Sequence, residues 1–194
     1  MPRLKAAQRR DQLMAVATKL FAKWGYNATT TAAIAEAAGV TEPILYRHFS
    51  SKQELFVAIT RAMSQHTLDY WQEQTEGIHG PAEKLRAIAK GFPDHIRKLE
   101  DAYHVLHGAL ATSRERKVLA VIREHYVEIE KFFAGIIIQG QSTGEFHKEM
   151  DPRLPAWQLI NIGIGYAMIA LNLPSLEHFS VEEGIEHILR GLKA

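Results

Sequence analysis

The sequence predicts an all-α protein in which an N-terminal three-helix domain is followed by a larger helical domain. Apolar residues recur at helical spacing along most of the chain, glycine and proline interrupt these runs, and no alternating strand pattern stands out. With 194 residues, of which 46% are hydrophobic, the chain can bury a substantial core. We place the domain boundary after residue 56, which gives a first domain of 1–56 and a second of 57–194.

Composition and charge distinguish the two predicted domains. The chain has no cysteine, which excludes a disulfide framework, a thiolate zinc site and a cysteine nucleophile. No apolar run follows the positive charges of MPRLKAAQRR, so we expect no signal peptide and a cytoplasmic protein. Residues 1–56 carry eight Lys/Arg against four Asp/Glu, whereas 57–194 carry fifteen against eighteen. This distribution is expected if only the first domain meets phosphate, although a chance fluctuation would also produce it.

The stretch from Thr29 to Phe56 predicts a helix-turn-helix. Its first helix is expected over Thr31–Ala38 and begins after hydroxyl residues that can cap it. Gly39 follows, where a left-handed residue commonly ends a helix. Pro43 then lies in the first turn of a second helix over Glu42–Phe49, a position that tolerates proline. Two short helices joined in this way place the second one in the major groove of DNA.

This stretch resembles the DNA-binding domain of the TetR (tetracycline repressor-like) family, over about the first third of the chain. The matching residues are Gly25, Thr30, Thr31, Ile34, Ala35, Ala38, Gly39, Val40, Leu45 to Phe49, Lys52 and Leu55. The resemblance implies a homodimeric transcriptional regulator, most often a repressor, that binds palindromic double-stranded operator DNA and is released by a small-molecule effector. It implies no cofactor and no membrane partner.

The resemblance also implies roles for individual residues of the first domain. The positions that usually contact phosphates are Thr30, Thr31, Tyr46, His48 and Lys52. The positions on or beside the groove-facing surface are Thr41, Glu42, Pro43, Ile44 and Arg47. Arg47 is the best candidate for reading guanine, and a contact to phosphate is an equal alternative. Lys52 stands in the first turn of its helix, which the helix dipole disfavours, and a phosphate partner would explain it.

The remaining helices follow from apolar stripes and their interruptions. The first is expected over about Gln8–Trp24, and the fourth over Lys52–Thr75, capped by Ser50 or Ser51 and linking the two domains. The next two helices are expected over Pro81–Gly91 and Asp94–Ala111, separated by a stop or kink at Pro93. A long helix over Ser113–Gln139 is expected to end at Gly140 and Gly144. The last two helices are expected from Asp151-Pro152 to before Pro174 and over Ser180–Leu192.

The segment Ala156–Leu173 is apolar nearly all round and approaches the length of a membrane span. Its Gln158, Asn161 and Asn172 favour instead a helix buried on two sides, against its own domain and a partner subunit. The family resemblance implies that the last two helices form a four-helix bundle with the partner's copies. The side chains expected at this interface are Trp157, Ile160, Ile164, Met168, Leu171, Ile185, Ile188, Leu189 and Leu192.

Aromatic and histidine residues of the second domain are candidates for a ligand site. They are Trp71, Phe92, His95, Tyr103, His107, Tyr126 and Phe133. Such walls suit a lipophilic or aromatic effector, although ordinary core packing explains each residue singly as well. His104 and His107 lie one helical turn apart, but without an acidic helper the pair does not predict a metal site.

The sequence does not indicate an enzyme. It contains no nucleophile elbow, phosphate loop, zinc helix motif or paired-carboxylate signature. His95, His125 or Glu128 could act as a base in a histidine-lined pocket, as could similar residues in many proteins. The other alternative is an effector-independent helical DNA-binding or scaffold protein. A scaffold alone leaves the N-terminal motif unexplained.

Overall fold

The computed structural model describes residues 5–173 and 180–193, and over these ranges it confirms the all-α class. The helices are α1 (Ala6–Trp24), α2 (Thr31–Ala37), α3 (Glu42–His48), α4 (Lys52–Thr75), α5 (Pro81–Lys98), α6 (Glu100–Thr112), α7 (Arg116–Thr143), α8 (Arg153–Asn172) and α9 (Val181–Leu192). The sequence predicts that the eighth helix ends before Pro174, and Pro174 itself lies outside the described residues.

Local signals place several helix ends where the sequence predicts them. The Thr30 hydroxyl caps α2 by accepting a hydrogen bond from the Ala33 amide, 3.1 Å away. Ser51 caps α4 through the amide of Glu54, and Ser180 caps α9 in the same way. Gly39 follows α2 with a φ of 66°, the left-handed conformation that glycine adopts without a steric penalty.

The helix around Pro93 differs from the prediction. α5 does not stop there but continues to Lys98, so Asp94–Lys98 belong to α5 and α6 begins only at Glu100. Proline removes one backbone donor and crowds the preceding turn. The turn that follows it, however, buries His95 and Ile96 almost completely, and this burial holds the helix together.

The ends of α7 also differ from the prediction. Ser113 does not cap the helix, which begins at Arg116; its hydroxyl instead accepts from the Glu115 amide within the turn. Gly140 does not end the helix, which runs on to Thr143 before Gly144 at φ 78°. A Cβ at position 140 would lie 2.1 Å from the ring of Phe146. Gly140 is therefore required for the close packing of Phe146.

The chain forms two compact units. The first contains the residues up to Ser64 together with Asp101–His125, and the second contains Gln65–Glu100 together with the residues from Tyr126 onwards. The unit boundary thus falls inside α4 and again inside α7. Our boundary after residue 56 separates expected functions and stays a prediction.

Each unit has its own apolar core. In the first, α1, α2 and α3 bury side chains against one another and against the start of α4: Leu13, Ala17, Phe21, Ile34, Leu45, Phe49, Leu55 and Phe56. In the second, α5 packs on α8 and α9, burying Leu85, Ile88, Phe92, Ile96, Leu159, Ile185 and Leu189. The Arg86 guanidinium of α5 also donates to both carboxylate oxygens of Glu186 in α9.

Candidate nucleic-acid interface

The second helix of the motif, α3, is divided between a buried and an exposed side. Leu45 and Phe49 are 0% and 1% exposed, so they anchor α3 in the core of the first unit. The N-cap Thr41 and the helix residues Pro43, Tyr46 and Arg47 are exposed to solvent, and Glu42, Ile44 and His48 are half-buried. Tyr46 is 47% exposed and therefore contributes less to the core than Phe49. All five predicted groove-facing residues are thus exposed or half-buried, in α3 or directly before it.

Three side chains join α2 to α3 at this surface. The Thr31 hydroxyl donates to the carboxylate of Glu42, and its oxygen lies 3.2 Å from the hydroxyl of Tyr46. A phosphate contacting Thr31 would therefore have to replace Glu42 as the acceptor of that proton. Thr30 differs, because its oxygen accepts from the Ala33 amide and its own proton remains available to donate.

The ammonium of Lys52 has partners within the chain. Its Nζ atom donates to the carbonyls of Tyr26, Asn27 and Thr29 at 2.8, 3.3 and 2.9 Å, and lies 4.5 Å from the centroid of the Tyr26 ring. Burial lowers the pKa of Lys52, and the nearby Glu115 carboxylate opposes this shift. These contacts explain a lysine at the start of α4 without a phosphate, because its charge holds the loop between α1 and α2.

Four of the five predicted phosphate-contacting residues line one open groove of about 340 Å³. Its walls are Asn27, Thr29, Thr30, Thr31, Tyr46, Ser50, Ser51 and Lys52. Hydroxyl groups on both sides of this groove, with the Lys52 charge at its edge, form a surface on which an anion can be bound. His48 is the one member of the predicted phosphate set that does not line the groove.

The predicted ligand residues are divided between the two units. Tyr103 and His107 lie in the first, with their rings 5.9 Å apart, and Tyr126 lies in the second. In the second unit Trp71 packs on Phe133 at 5.0 Å and on Phe132, which the sequence reasoning missed, at 5.5 Å. Phe92 instead packs on Tyr166, 6.0 Å away, and lies 3.2 Å from where a Cβ at Gly163 would stand.

Trp71 combines burial with an unused polar group. Its side chain is 3% exposed, and among the described residues its indole Nε1 has no hydrogen-bond acceptor. A buried N–H without an acceptor costs about 1–3 kcal/mol, so such a group calls for an explanation.

His95 belongs to a separate polar cluster of the second unit. Its Nε2 atom lies 3.1 Å from the hydroxyl of the fully buried Thr67, and its ring stacks on Tyr70 at 4.5 Å and on His66 at 5.7 Å. Burial lowers the pKa of His95 to about 4, assisted by the charges of His66 and Lys98. The ring is therefore neutral at pH 7.

The predicted interface residues fall into two groups. Ile160, Ile185, Ile188, Leu189 and Leu192 are buried within the chain itself, because α9 packs its apolar face on α5 and α8. Trp157 and Met168 are exposed, and Ile164 and Leu171 are partly so. The principal candidate for the interface with a partner subunit is therefore the exposed side of α8 and not the buried residues of α9.

α8 is unusual in being apolar and largely uncovered. It is long and apolar enough to span a membrane, with a mean hydropathy of 1.4, yet only 28% of its most apolar stretch is buried in the chain. Its exposed residues include a series three or four positions apart, and the full set is Arg153, Leu154, Trp157, Gln158, Asn161, Gly165, Met168, Ile169 and Asn172. Asn161 of α8, together with His187 and Ile188 of α9, helps to line an open groove of about 590 Å³ between the two helices.

Together, the helix-turn-helix with its exposed α3 and hydroxyl-lined groove defines the chain as a DNA-binding protein of the helix-turn-helix class. The model of the family described as bacterial regulatory proteins, tetR family, matches residues 13–59. Residues 13–59 therefore form a DNA-binding domain of this family of transcriptional regulators, as expected from the sequence, and the all-α fold is confirmed. Relatives such as FasR, KstR2 and HbdR are named as transcriptional regulators.

Individual relatives differ in the sense of their regulation. The chain is 33% identical over 104 residues to the transcriptional activator FasR of Mycolicibacterium smegmatis, covering 54% of this chain and 48% of FasR. It thus spans about half the length of that relative. It is 25% identical to the transcriptional repressor KstR2 of the same organism, covering 75% of this chain and 71% of KstR2.

A solved structure of the same fold contains a bound small molecule. It is a regulator from Saccharomonospora viridis in complex with choline, with a TM-score of 0.76, 20% identity and 94% of each chain covered. At this identity the similarity establishes the fold alone.

Proposed function

We propose that this chain is a cytoplasmic, one-component repressor that acts as a homodimer. In this proposal, effector binding releases it from operator DNA. The observation that carries the proposal is the division of α3, with Leu45 and Phe49 in the core and Tyr46 and Arg47 exposed. A helix anchored on one side presents its other side to the major groove.

The exposed residues have different roles in this proposal. Thr30 and Tyr46 line the groove at the start of α2 and donate to phosphate oxygens, which fixes the register of the protein on the duplex. Arg47 extends from the last turn of α3 towards the base edges, where its fork can contact guanine O6 and N7. Ile44 offers a methyl surface to thymine. Glu42 is held by Thr31 and accepts from the amino group of cytosine where the site contains one.

The occupant that we propose for the exposed side of α8 is a second copy of the chain. Gly165 lies in the middle of this side, and no atom within 4 Å would meet a Cβ there, so another helix can approach closely. The polar Asn161 and Asn172 on the same side suit a protein partner better than lipid. Two copies joined here bind half-sites about 34–36 Å apart or a multiple of that spacing.

For the effector we propose a site at Trp71, Phe132 and Phe133 in the second unit. The three rings provide lipophilic walls, and the buried indole N–H of Trp71 provides one donor. The molecule that fits is lipophilic or aromatic and carries one acceptor, such as a carbonyl oxygen. An effector changes operator affinity only if it binds one of two conformations of the protein more tightly than the other. We propose that α4, which is continuous from Lys52 to Thr75, transmits this conformational change.

The test of the DNA-binding proposal is selection of bound sequences from a random duplex pool by the purified full chain. We expect an enriched palindrome and, in sedimentation, a mass of twice 21.9 kDa. Met168→Glu, on the exposed side of α8, should reduce that mass to one chain, whereas Leu110→Glu on α6 should not. The selection is repeated at low salt with protein that has been denatured and refolded to remove any co-purified small molecule. If no DNA sequence is enriched under these conditions, the proposal is refuted.

A further inference from the structure

Glu115 stands in the short turn between α6 and α7, and its carboxylate is hydrogen-bonded by the DNA-binding domain. The oxygen Oε2 accepts from the hydroxyl of Tyr26 at 2.9 Å and from the side-chain amide of Gln53 at 2.6 Å. These donors lie 89 and 62 residues away along the sequence. The Glu115 amide in turn donates to the hydroxyl of the buried Ser113, which fixes the turn from the other side.

Tyr26 transmits this contact to the loop between α1 and α2. Its ring is 3% exposed and packs on Phe21 and Phe56 at 5.5 and 5.0 Å, so its position is set on both sides. The ammonium of Lys52 lies over the same ring and donates to the backbone carbonyls of Tyr26, Asn27 and Thr29. Burial and the Glu115 carboxylate raise the pKa of Tyr26, so that its hydroxyl stays a donor.

The held loop leads directly to the residues that face phosphate. Thr29 has its hydroxyl bonded to the Leu20 and Gly25 carbonyls and its own carbonyl bonded to Lys52, so its conformation is fixed by three contacts. Thr30 and Thr31 follow without an intervening residue and line the groove of the proposed interface. A displacement of the Tyr26 hydroxyl therefore changes where these two side chains stand.

We propose that Glu115 is a positioning residue for DNA binding, which acts through Tyr26 and Gln53 and links the α6–α7 turn to operator affinity. The inference rests on the proposed DNA-binding function. A movement of the α6–α7 turn would displace the Glu115 carboxylate and, through its hydrogen bonds, the loop that faces phosphate. A carboxylate suits this role, because hydrogen bonds to a charged group are stronger and more directional than those between neutral groups.

The experiment measures the affinity of the full chain for the duplex recovered by selection, with wild type, Glu115→Ala, Tyr26→Phe and the double variant. We expect Glu115→Ala, which removes two charge-assisted hydrogen bonds, to weaken binding about tenfold, and Tyr26→Phe, which removes one, to weaken it about threefold, because only part of each bond's free energy reaches the DNA contacts. The double variant should bind no more weakly than Glu115→Ala alone, because the two changes remove the same contact. Tyr26→Phe retains the ring and its packing, so it keeps the test valid if Glu115→Ala folds poorly.

Glu124→Ala is the matched control. Glu124 lies in the third turn of α7 and pairs with Arg61 of α4 at 3.1 Å, but both side chains are more than half exposed. Surface pairs of this kind contribute little, so affinity should change less than twofold. Hydrogen exchange of the amides of residues 27–31 separates positioning from general stability: it should accelerate in Glu115→Ala and Tyr26→Phe, and not in Glu124→Ala.

The outcomes distinguish the inference from the function on which it rests. If wild type binds the duplex and both variants bind equally well, the positioning role is refuted and the DNA-binding function stands. Additive losses in the double variant, or a loss of thermal stability with unchanged exchange at residues 27–31, would also refute it. If wild type recovers no duplex, the proposed function fails first and the inference fails with it.

Discussion

Replacing Lys52 by methionine tests whether this lysine holds the loop or contacts phosphate. Methionine retains an apolar stem of similar length and removes the ammonium with its three hydrogen bonds to the carbonyls of Tyr26, Asn27 and Thr29. A hydrogen bond to a charged group contributes about 1.5–3 kcal/mol. Lys52 is only partly buried, so water replaces some of what is lost. We expect the free energy of unfolding to fall by about 2–3 kcal/mol.

The DNA measurement separates the two roles of Lys52. A lysine that neutralises one phosphate lowers the slope of log affinity against log salt by about 1 when it is removed. A lysine engaged with three carbonyls weakens binding through the displaced loop, and we expect the slope to change by less than about 0.5.

The assays are urea unfolding and salt titration of binding to the selected duplex, with Lys19→Met, an exposed lysine of α1, as the control. An unchanged unfolding midpoint together with a slope lower by about 1 would refute the structural reasoning and restore the phosphate contact predicted from the sequence.

Two further predictions concern the second unit. Gly140→Ala places a Cβ 2.1 Å from the Phe146 ring and should destabilise the chain by about 1–3 kcal/mol in urea unfolding. Gly135→Ala lies in the same helix, where a Cβ meets nothing within 4 Å, and should stabilise the chain by about 0.5–1 kcal/mol. Equal effects of the two substitutions would contradict the close packing of Phe146 on Gly140. His95 keeps a folded pKa of about 4 against about 6.5 in the unfolded chain. The unfolded state therefore takes up a proton that the folded state does not as the pH falls, and between pH 7 and about pH 5 this group should remove about 2 kcal/mol of stability. His95→Gln should show a shallower loss over that interval, and an equal loss in both proteins would rule out His95 as its source.

The sequence alone determined the DNA-binding motif, because the signals that form it act over a few residues. The Thr30 cap bonds to an amide three residues away, Gly39 adopts a left-handed conformation by itself, and Pro43 needs only to stand in a first turn. The bounds of α4 were predicted correctly for the same reason, since Ser51 begins the helix through a contact to Glu54.

Other features depend on groups that only the tertiary structure brings together. α5 passes Pro93 because burial of His95 and Ile96 outweighs a lost backbone bond, and Gly140 stays helical because Phe146 packs on it. Local propensity reports the preference of a short segment. Burial against distant elements contributes more free energy than that preference and can reverse it.

The same distinction holds within the site. From the sequence, Lys52 is a cation near a DNA-binding motif, and Glu115 is one acidic residue among 22 Asp and Glu. The structure gives Lys52 three carbonyl partners more than twenty residues away and places Glu115 against Tyr26 and Gln53. No local pattern encodes these pairs, because they form only when the packing of the first unit brings the α6–α7 turn to the loop after α1. The sequence therefore determined which surface can meet DNA, and the tertiary structure decided which residues hold that surface in place.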